Sequence, residues 1–231
     1  MKEKYVLFKD DDAGKDFYRL KKWVDVVLDK DAKGAIGLIG KYMKNEQLRG
    51  YLNSLDSSKI EVFCHGYSHS YLPFLVRKIS KKNSFIKTEF NKSLKNHENS
   101  LKKYRTSEKK YLNQKTITFG PPGNIWNKDV SKALVDNGFK MMFSWYDVGN
   151  GIFTIYLNDN FKQNSLEEFI EDYKKNKNKD LFVLQFHHAN LSEKQFDLME
   201  KVIDYLKNEE HRIFITPSEL FNMIKKGEIH I

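Results

Sequence analysis

Short apolar runs alternate with amphipathic stretches through most of this chain. Eight runs read as strands: Tyr5–Phe8, Ala35–Ile39, Ile60–Cys64, Thr116–Phe119, Met141–Trp145, Phe153–Leu157, Leu181–Phe186 and Arg212–Ile215. Most are continuously apolar rather than alternating, as expected of parallel strands buried on both faces. Between them, Phe17, Leu20, Val24, Val27 and Leu28 make one helical stripe. Ile86, Phe90, Leu94, Leu101 and Tyr104 make a longer one, and Phe196, Met199, Val202, Ile203 and Leu206 a third. Helix punctuation agrees. Ser192 with Gln195, and Thr216 with Glu219, form capping-box patterns, Pro217 suits a first helical position, and Gly138 stands where a C-terminal glycine cap belongs. Repeated strand–helix units predict an α/β fold, either an open doubly wound sheet or a β/α barrel. The highly charged segment at about 80–113 reads as a long helix and is the one candidate for an insertion.

Composition narrows the class. At 231 residues, 40% hydrophobic and 14% aromatic, the chain suits one domain with a full core. No apolar stretch reaches transmembrane length, and no signal-peptide pattern follows the N-terminus. A lone cysteine, Cys64, excludes an internal disulfide, so a cytoplasmic location is expected. The net charge of +9 comes from lysines spread along the chain, among them Lys81, Lys82, Lys87, Lys92, Lys95, Lys102 and Lys103. No nucleic-acid motif accompanies them, so they read as a solvated surface that also suits an anionic substrate, not as a nucleic-acid interface. The oligomeric state is not specified.

Candidate chemistry gathers at predicted strand ends. Asp10-Asp11-Asp12 follow the first strand, His65-Gly66-Tyr67-Ser68-His69 the third, Gly120-Pro121-Pro122-Gly123-Asn124 the fourth, and His187-His188 the seventh, while Trp145 ends the fifth. In β/α folds that rim is where active sites are built. Two imidazoles four residues apart can close on one cation if the segment makes a helical turn, and a carboxylate from another strand end would complete three ligands. Such a set leaves a coordination position open, as catalytic zinc sites do. An acidic triplet is also a common helix cap, and a strand-end histidine can be merely structural. Cys64 precedes His65 on an extended segment, so it should point to the opposite face and into the core.

Paired aspartates after the first strand, then H-x-x-S-H, then F-x-P-P-G, then a strand ending L-x-F-H together resemble the polysaccharide deacetylase family. This is the NodB-homology or carbohydrate esterase family 4 group, and the match runs in order from Phe8 to about His188. The resemblance implies a single catalytic domain over 1–231, folded as a distorted (β/α) barrel of about seven parallel strands. It implies metal-dependent removal of an N- or O-acetyl group from a sugar. Carried over, it gives Asp11 as catalytic base and Asp12, His65 and His69 as metal ligands, though Asp10 and Asp11 can be the pair instead. His187 becomes the general acid, with His188 as the alternative. The cation would be Zn²⁺ by default, or Co²⁺, Ni²⁺ or Mn²⁺.

In the same resemblance Pro121, Pro122 and Gly123 wall the substrate groove. Trp145 lines it, ahead of Trp126, Tyr67 and Tyr71. The expected partner is an acetylated sugar or glycan precursor. Two departures stand out. The family's arginine after the phenylalanine is Gly120 here, with Lys9 a possible replacement charge, and the fourth motif is only echoed by Ser144-Trp145-Tyr146-Asp147. These departures leave room for another amide hydrolase on the same barrel, or for a silent metal- and carbohydrate-binding protein.

Overall fold

In the computed structural model, residues 3–69 and 89–229 are described; Tyr71, Lys81, Lys82, Ile86 and Lys87 lie outside the described residues. The strands are β1 (Lys4–Ala13), β2 (Gly34–Leu38), β3 (Ile60–Cys64), β4 (Thr118–Phe119), β5 (Met141–Ser144), β6 (Phe153–Tyr156), β7 (Asp159–Asn160), β8 (Leu181–Phe186) and β9 (Arg212–Phe214). They form one sheet in the order β6-β5-β4-β3-β2-β1-β8-β7, with β9 also on β1. Every pairing is parallel. The sheet curls until its two edges meet: Leu157 N donates to Ser144 O on one side, and the next residue, Asn158, donates to Val183 O on the other. This is the distorted β/α barrel expected. All eight sequence-predicted runs are strands, so the count exceeds seven. The ninth strand, β7, is only two residues long and carries no periodicity to read.

The helices are α1 (Phe17–Asp29), α2 (Glu46–Ser54), α3 (Leu94–Tyr111), α4 (Val130–Asp136), α5 (Leu166–Lys174), α6 (Glu193–Asp204) and α7 (Pro217–Lys226). Both predicted capping boxes form, at the starts of α6 and α7. Gly138 follows α4 with φ +74°. Leu28, expected on the buried stripe of α1, is instead 38% exposed, and Trp23 and Val26 are buried on that helix. Helix α2 escaped the sequence reading because it buries only Leu48 and Leu52, too few for a stripe; Asn45 caps it by accepting from Leu48 N at 3.1 Å.

Alternation along the strands divides the core in two. One cluster holds Val6, Phe8, Ile36, Val62, Cys64, Phe119 and Phe186 with the helix residues Trp23, Val24, Phe196 and Met199; it is the layer between sheet and helices. The other holds Leu7, Ala35, Phe63, Met141, Phe143, Ile155 and Val183, and it fills the barrel interior. Cys64 lies in the outer layer, as expected. Each such buried apolar side chain contributes roughly 1.5–3 kcal/mol over exposure. The same alternation, continued past the strand ends, aims the polar residues described next.

Candidate metal centre and active site

Strand β1 continues the interior pattern of Leu7 with Lys9 and Asp11, and the outer pattern of Phe8 with Asp10. The triplet therefore does not simply follow the strand; it forms its last turn of pleat. The registry with β2 breaks between Asp10 and Ala13, and Asp12 takes φ +73°. Such irregularities re-aim a side chain at a strand end. Asp12, which plain alternation would send outward, is turned toward the histidines of the β3 loop. Its Oδ1 lies 2.7 Å from His69 Nε2 and 3.5 Å from His65 Nε2. The ligand atoms of Asp12, His65 and His69 all lie within 4.8 Å of one another, the only such group among the described residues.

The two rings, 4.9 Å apart, meet through a turn rather than the helical turn expected, with Gly66 at φ +72° and His69 at φ +48°. Sequence spacing allowed either route; the left-handed residues at both ends of the turn decided it.

The donor chemistry fits a divalent cation. His65 Nδ1 lies 2.8 Å from Gly120 O, and a carbonyl only accepts, so Nδ1 carries the proton. In the neutral ring, Nε2 then presents a lone pair toward Asp12. Asp12 Oδ1 is buried and accepts no hydrogen bond of good geometry, despite its short approach to His69. Buried lone pairs converging on one point are a poor arrangement unless a cation lies among them. Lys15 holds the other carboxylate oxygen at 2.8 Å. Burial pushes the Asp12 carboxyl up, but the close approach and charge of His65 and His69 outweigh it and hold the group well below the usual carboxylate range.

Asp11 stands beside this group without joining it. Lys9, itself fully buried, donates to Asp11 Oδ2 at 2.6 Å and to Gln185 Oε1 at 2.6 Å. Lys9 and Gln185 are register partners across β1 and β8. Asp11 also lies 3.5 Å from His65 Nδ1 and 3.8 Å from His187 Nε2. Burial raises the Asp11 carboxyl, yet His65, Lys9 and His187 together bring it below its ordinary value. Burial likewise lowers the Lys9 ammonium, against the pull of Asp11.

The missing arginine has a steric reason. A Cβ at Gly120 would lie 2.6 Å from Phe63 Cε2 and 3.4 Å from Lys9 Cε, so the space is already filled by the lysine stem and the ring. Gly37 makes the matching room on β2, where a Cβ would meet Asp11 Oδ1 at 3.0 Å.

The two histidines after β8 part by the same alternation. His187 faces inward to Asp11 and is 36% exposed at the rim. His188 faces outward, fully buried, with Asp10 accepting from its backbone N at 2.8 Å and meeting its Nδ1 at 2.6 Å. Burial works against the His188 imidazolium, but Asp10 raises its pKa above the ordinary histidine value. The structure thus brings Asp11, Asp12, His65, His69 and His187 together and engages Asp10 and His188 elsewhere.

Pro122 is buried beside the ligand loop: a Cβ at Gly66 would meet its Cγ at 2.9 Å. After an extended Pro121, Pro122–Asn124 form a short 3₁₀ turn, and Asn124 Nδ2 donates to Gln185 Oε1 at 3.3 Å. Trp145 lies one residue past β5 at the rim, 36% exposed.

Two residues were missed by sequence reasoning. Gln185 had a signal, a polar residue at an inward position of an apolar strand. Glu89 had none. It lies twenty residues beyond His69, yet its carboxylate accepts from the backbone N–H groups of Tyr67, Ser68 and His69.

The sequence model of glycosyl hydrolase family 57 matches residues 7–230, and the chain belongs to that family. No curated protein sequence matches the chain. Solved structures it is similar to come from the deacetylase group instead, so that resemblance holds in the fold while membership lies in another family. A CE4 family pseudoenzyme from Bacillus anthracis aligns with TM-score 0.66 at 17% identity, over 94% of this chain and 65% of the other. The chain therefore spans about two thirds of that relative's length. A family 4 acetyl xylan esterase from Clostridium thermocellum, in complex with a cobalt ion, gives TM-score 0.67 at 16% identity, over 95% of this chain and 91% of the other. A family 4 carbohydrate esterase from Streptomyces lividans, in complex with acetate, gives 0.58 at 11%, over 90% and 89%. Among the described residues no helix is long and apolar enough to cross a membrane.

Proposed function

We propose that the chain is a metal-dependent hydrolase that removes an acetyl group, foremost an N-acetyl group, from a carbohydrate precursor of surface polysaccharide. The observation that carries this reading is the division of labour between neighbouring carboxylates. Asp12 joins the histidine pair, while Asp11 is held by Lys9 and faces His187. A cation held by Asp12, His65 and His69, Zn²⁺ first and Co²⁺, Ni²⁺ or Mn²⁺ as alternatives, supplies Lewis-acid chemistry when bound.

Asp11 takes a proton from the attacking water as its oxygen bonds to the acetyl carbon, and its depressed pKa keeps it ionised for that task. His187, within reach of the same carboxylate, gives a proton to the nitrogen as the C–N bond breaks, leaving acetate and a free amine. Pro121, Pro122, Gly123 and Trp145 line the sugar's approach, and residues 1–231 work as one catalytic domain. A single buried cysteine supports action in the cytoplasm.

An anionic precursor, such as a nucleotide-linked or lipid-pyrophosphate-linked sugar, is supported by an open groove of about 530 Å³ beside the ligand loop. Lys44, Lys102, Lys103, Lys110, Tyr67 and Tyr111 line it, and among the described residues its lining holds no carboxylate.

Family membership favours a second reading, hydrolysis of a glycosidic bond. That chemistry ordinarily needs two carboxylates about 5–9.5 Å apart across the bond. Here Asp10 is tied to His188, Asp12 faces the histidine pair and Glu89 is tied to backbone, which leaves Asp11 as the one carboxylate turned to the reaction space among the described residues. Acetylated nucleotide sugars, lipid-linked sugars and short oligosaccharides, incubated with each metal, separate the readings. Acetate release supports deacetylation, new reducing ends without acetate support glycoside hydrolysis, and acetate from simple amides alone points to another amide hydrolase. Glycan binding with no turnover under any metal leaves a silent binding protein.

A further inference from the structure

We propose that Glu89 is a positioning residue for the cation ligands, an anion around which the His65–His69 turn is folded; this rests on the metal site proposed above. The carboxylate is 6% exposed and saturated with donors. Tyr67 N donates to Oε1 at 2.6 Å, Ser68 N to Oε2 at 2.9 Å, and His69 N to Oε2 at 2.8 Å. Ser68 Oγ adds 2.5 Å to Oε2, and Ser100 Oγ from α3 also donates to Oε1.

Three successive N–H groups turned onto one anion form a nest, a backbone arrangement the turn would not keep without its occupant. The turn enters it through Gly66 at φ +72° and leaves through His69 at φ +48°. For a β-carbon-bearing residue the left-handed region is unfavourable, so the His69 conformation is over-determined by its surroundings. A Cβ at Gly66 would sit 2.8 Å from Glu89 Oε1, which ties the glycine to the same carboxylate. Glu89 thus fixes the separation of the two imidazoles and places a negative charge behind the cation. Outer-shell groups of this kind change metal affinity without touching the metal.

The test is Co²⁺ binding by the full chain, read by calorimetry and by the visible d–d bands, with the folding temperature measured in parallel. Glu89→Gln keeps the volume but replaces an acceptor by an amide NH₂ facing three N–H groups. It is expected to weaken Co²⁺ binding by about 10–100-fold and to alter the bands. A Kd within twofold of the parent with an unchanged spectrum overturns the inference.

Glu61→Gln is the control. Glu61 is also buried and accepts from Ser218 N at 2.7 Å, but it sits near the start of β3, remote from the His65–His69 turn, so its loss should leave the Co²⁺ Kd unmoved. An equal loss there would show a merely structural effect and overturn the inference. Should Glu89→Gln not fold, Ser100→Ala removes one donor from the carboxylate; a several-fold weaker Kd supports the role, and none overturns it. A parent chain that binds no Co²⁺ overturns the metal site and this inference together. Intact Co²⁺ binding without acetate release affects the proposed reaction alone.

Discussion

At the joined ends of β1 and β8, two histidine–aspartate contacts stand on opposite faces of one sheet. On the outer face, Asp10 and His188 are sealed under the helix layer, and both carboxylate oxygens of Asp10 are engaged by His188. On the inner face, Asp12 meets His69 just as closely, yet Asp12 Oδ1 remains without a proper hydrogen bond. Residue types and distances match; the engagement of the carboxylate does not, since both Asp10 oxygens are held while Asp12 Oδ1 is not, and on the outer face it is His188 Nε2 that lies buried without a partner. The closed pair is a fastening between strands. The open set is a convergence of ligand atoms that fits a cation. Asp11, on the inner face with Lys9 behind it, is neither, and this supports it as the proposed group for proton transfer.

The largest expected effect falls on Asp11. Asp11→Asn should lower kcat for acetate release by roughly 10²–10⁴-fold while Co²⁺ affinity holds; undiminished kcat would remove Asp11 from the reaction. Next come the two contacts themselves. Asp12→Ala should weaken Co²⁺ binding by more than about 100-fold, beyond the effect of any outer-shell change. Asp10→Ala should instead cost about 3–5 kcal/mol in urea unfolding by stranding His188, with the Co²⁺ Kd unchanged. If both variants behave alike, the distinction between the two faces is wrong.

Steric fit at Gly120 is the next in size. Gly120→Ala should destabilise by about 1–3 kcal/mol through its clash with Phe63, and Phe63→Leu in the same chain should return part of that loss. Gly50→Ala, on the helix α2 with nothing within 4 Å of the new Cβ, should instead stabilise by about 0.5–1 kcal/mol.

The smallest effect is a pH slope. The folded-state pKa of His188 lies above its unfolded value, so the pair's contribution is complete below about pH 6.5 and fades as pH rises through the folded value. The stability gap between the parent and His188→Gln should therefore shrink from pH 6 upward, by at most about 1.4 kcal/mol per pH unit. A gap constant over that range would mean that His188 is not charged in the folded state at any of these pH values.

Much of this was legible along the chain. Long apolar runs located the eight major strands because strands buried on both faces carry no competing polar signal. The capping boxes set two helix starts through local side-chain chemistry alone. Short elements such as β7 and α2 were not legible, because β7 is a pair of polar residues outside any apolar run and α2 buries only Leu48 and Leu52.

What the sequence by itself determined is the inventory and its rim placement: acids after the first strand, two histidines after the third, a histidine pair after the seventh predicted strand. Residue type and period-two geometry suffice for that. Only the tertiary structure decided which acid faces which partners. Plain alternation would send Asp12 outward with Asp10; the broken registry at φ +73° turns it inward to His65 and His69. Only the fold brings Lys9 into the space an arginine would need, and only the fold brings Glu89 under the ligand turn. These are contacts across many residues or across strands, and no local spacing encodes them.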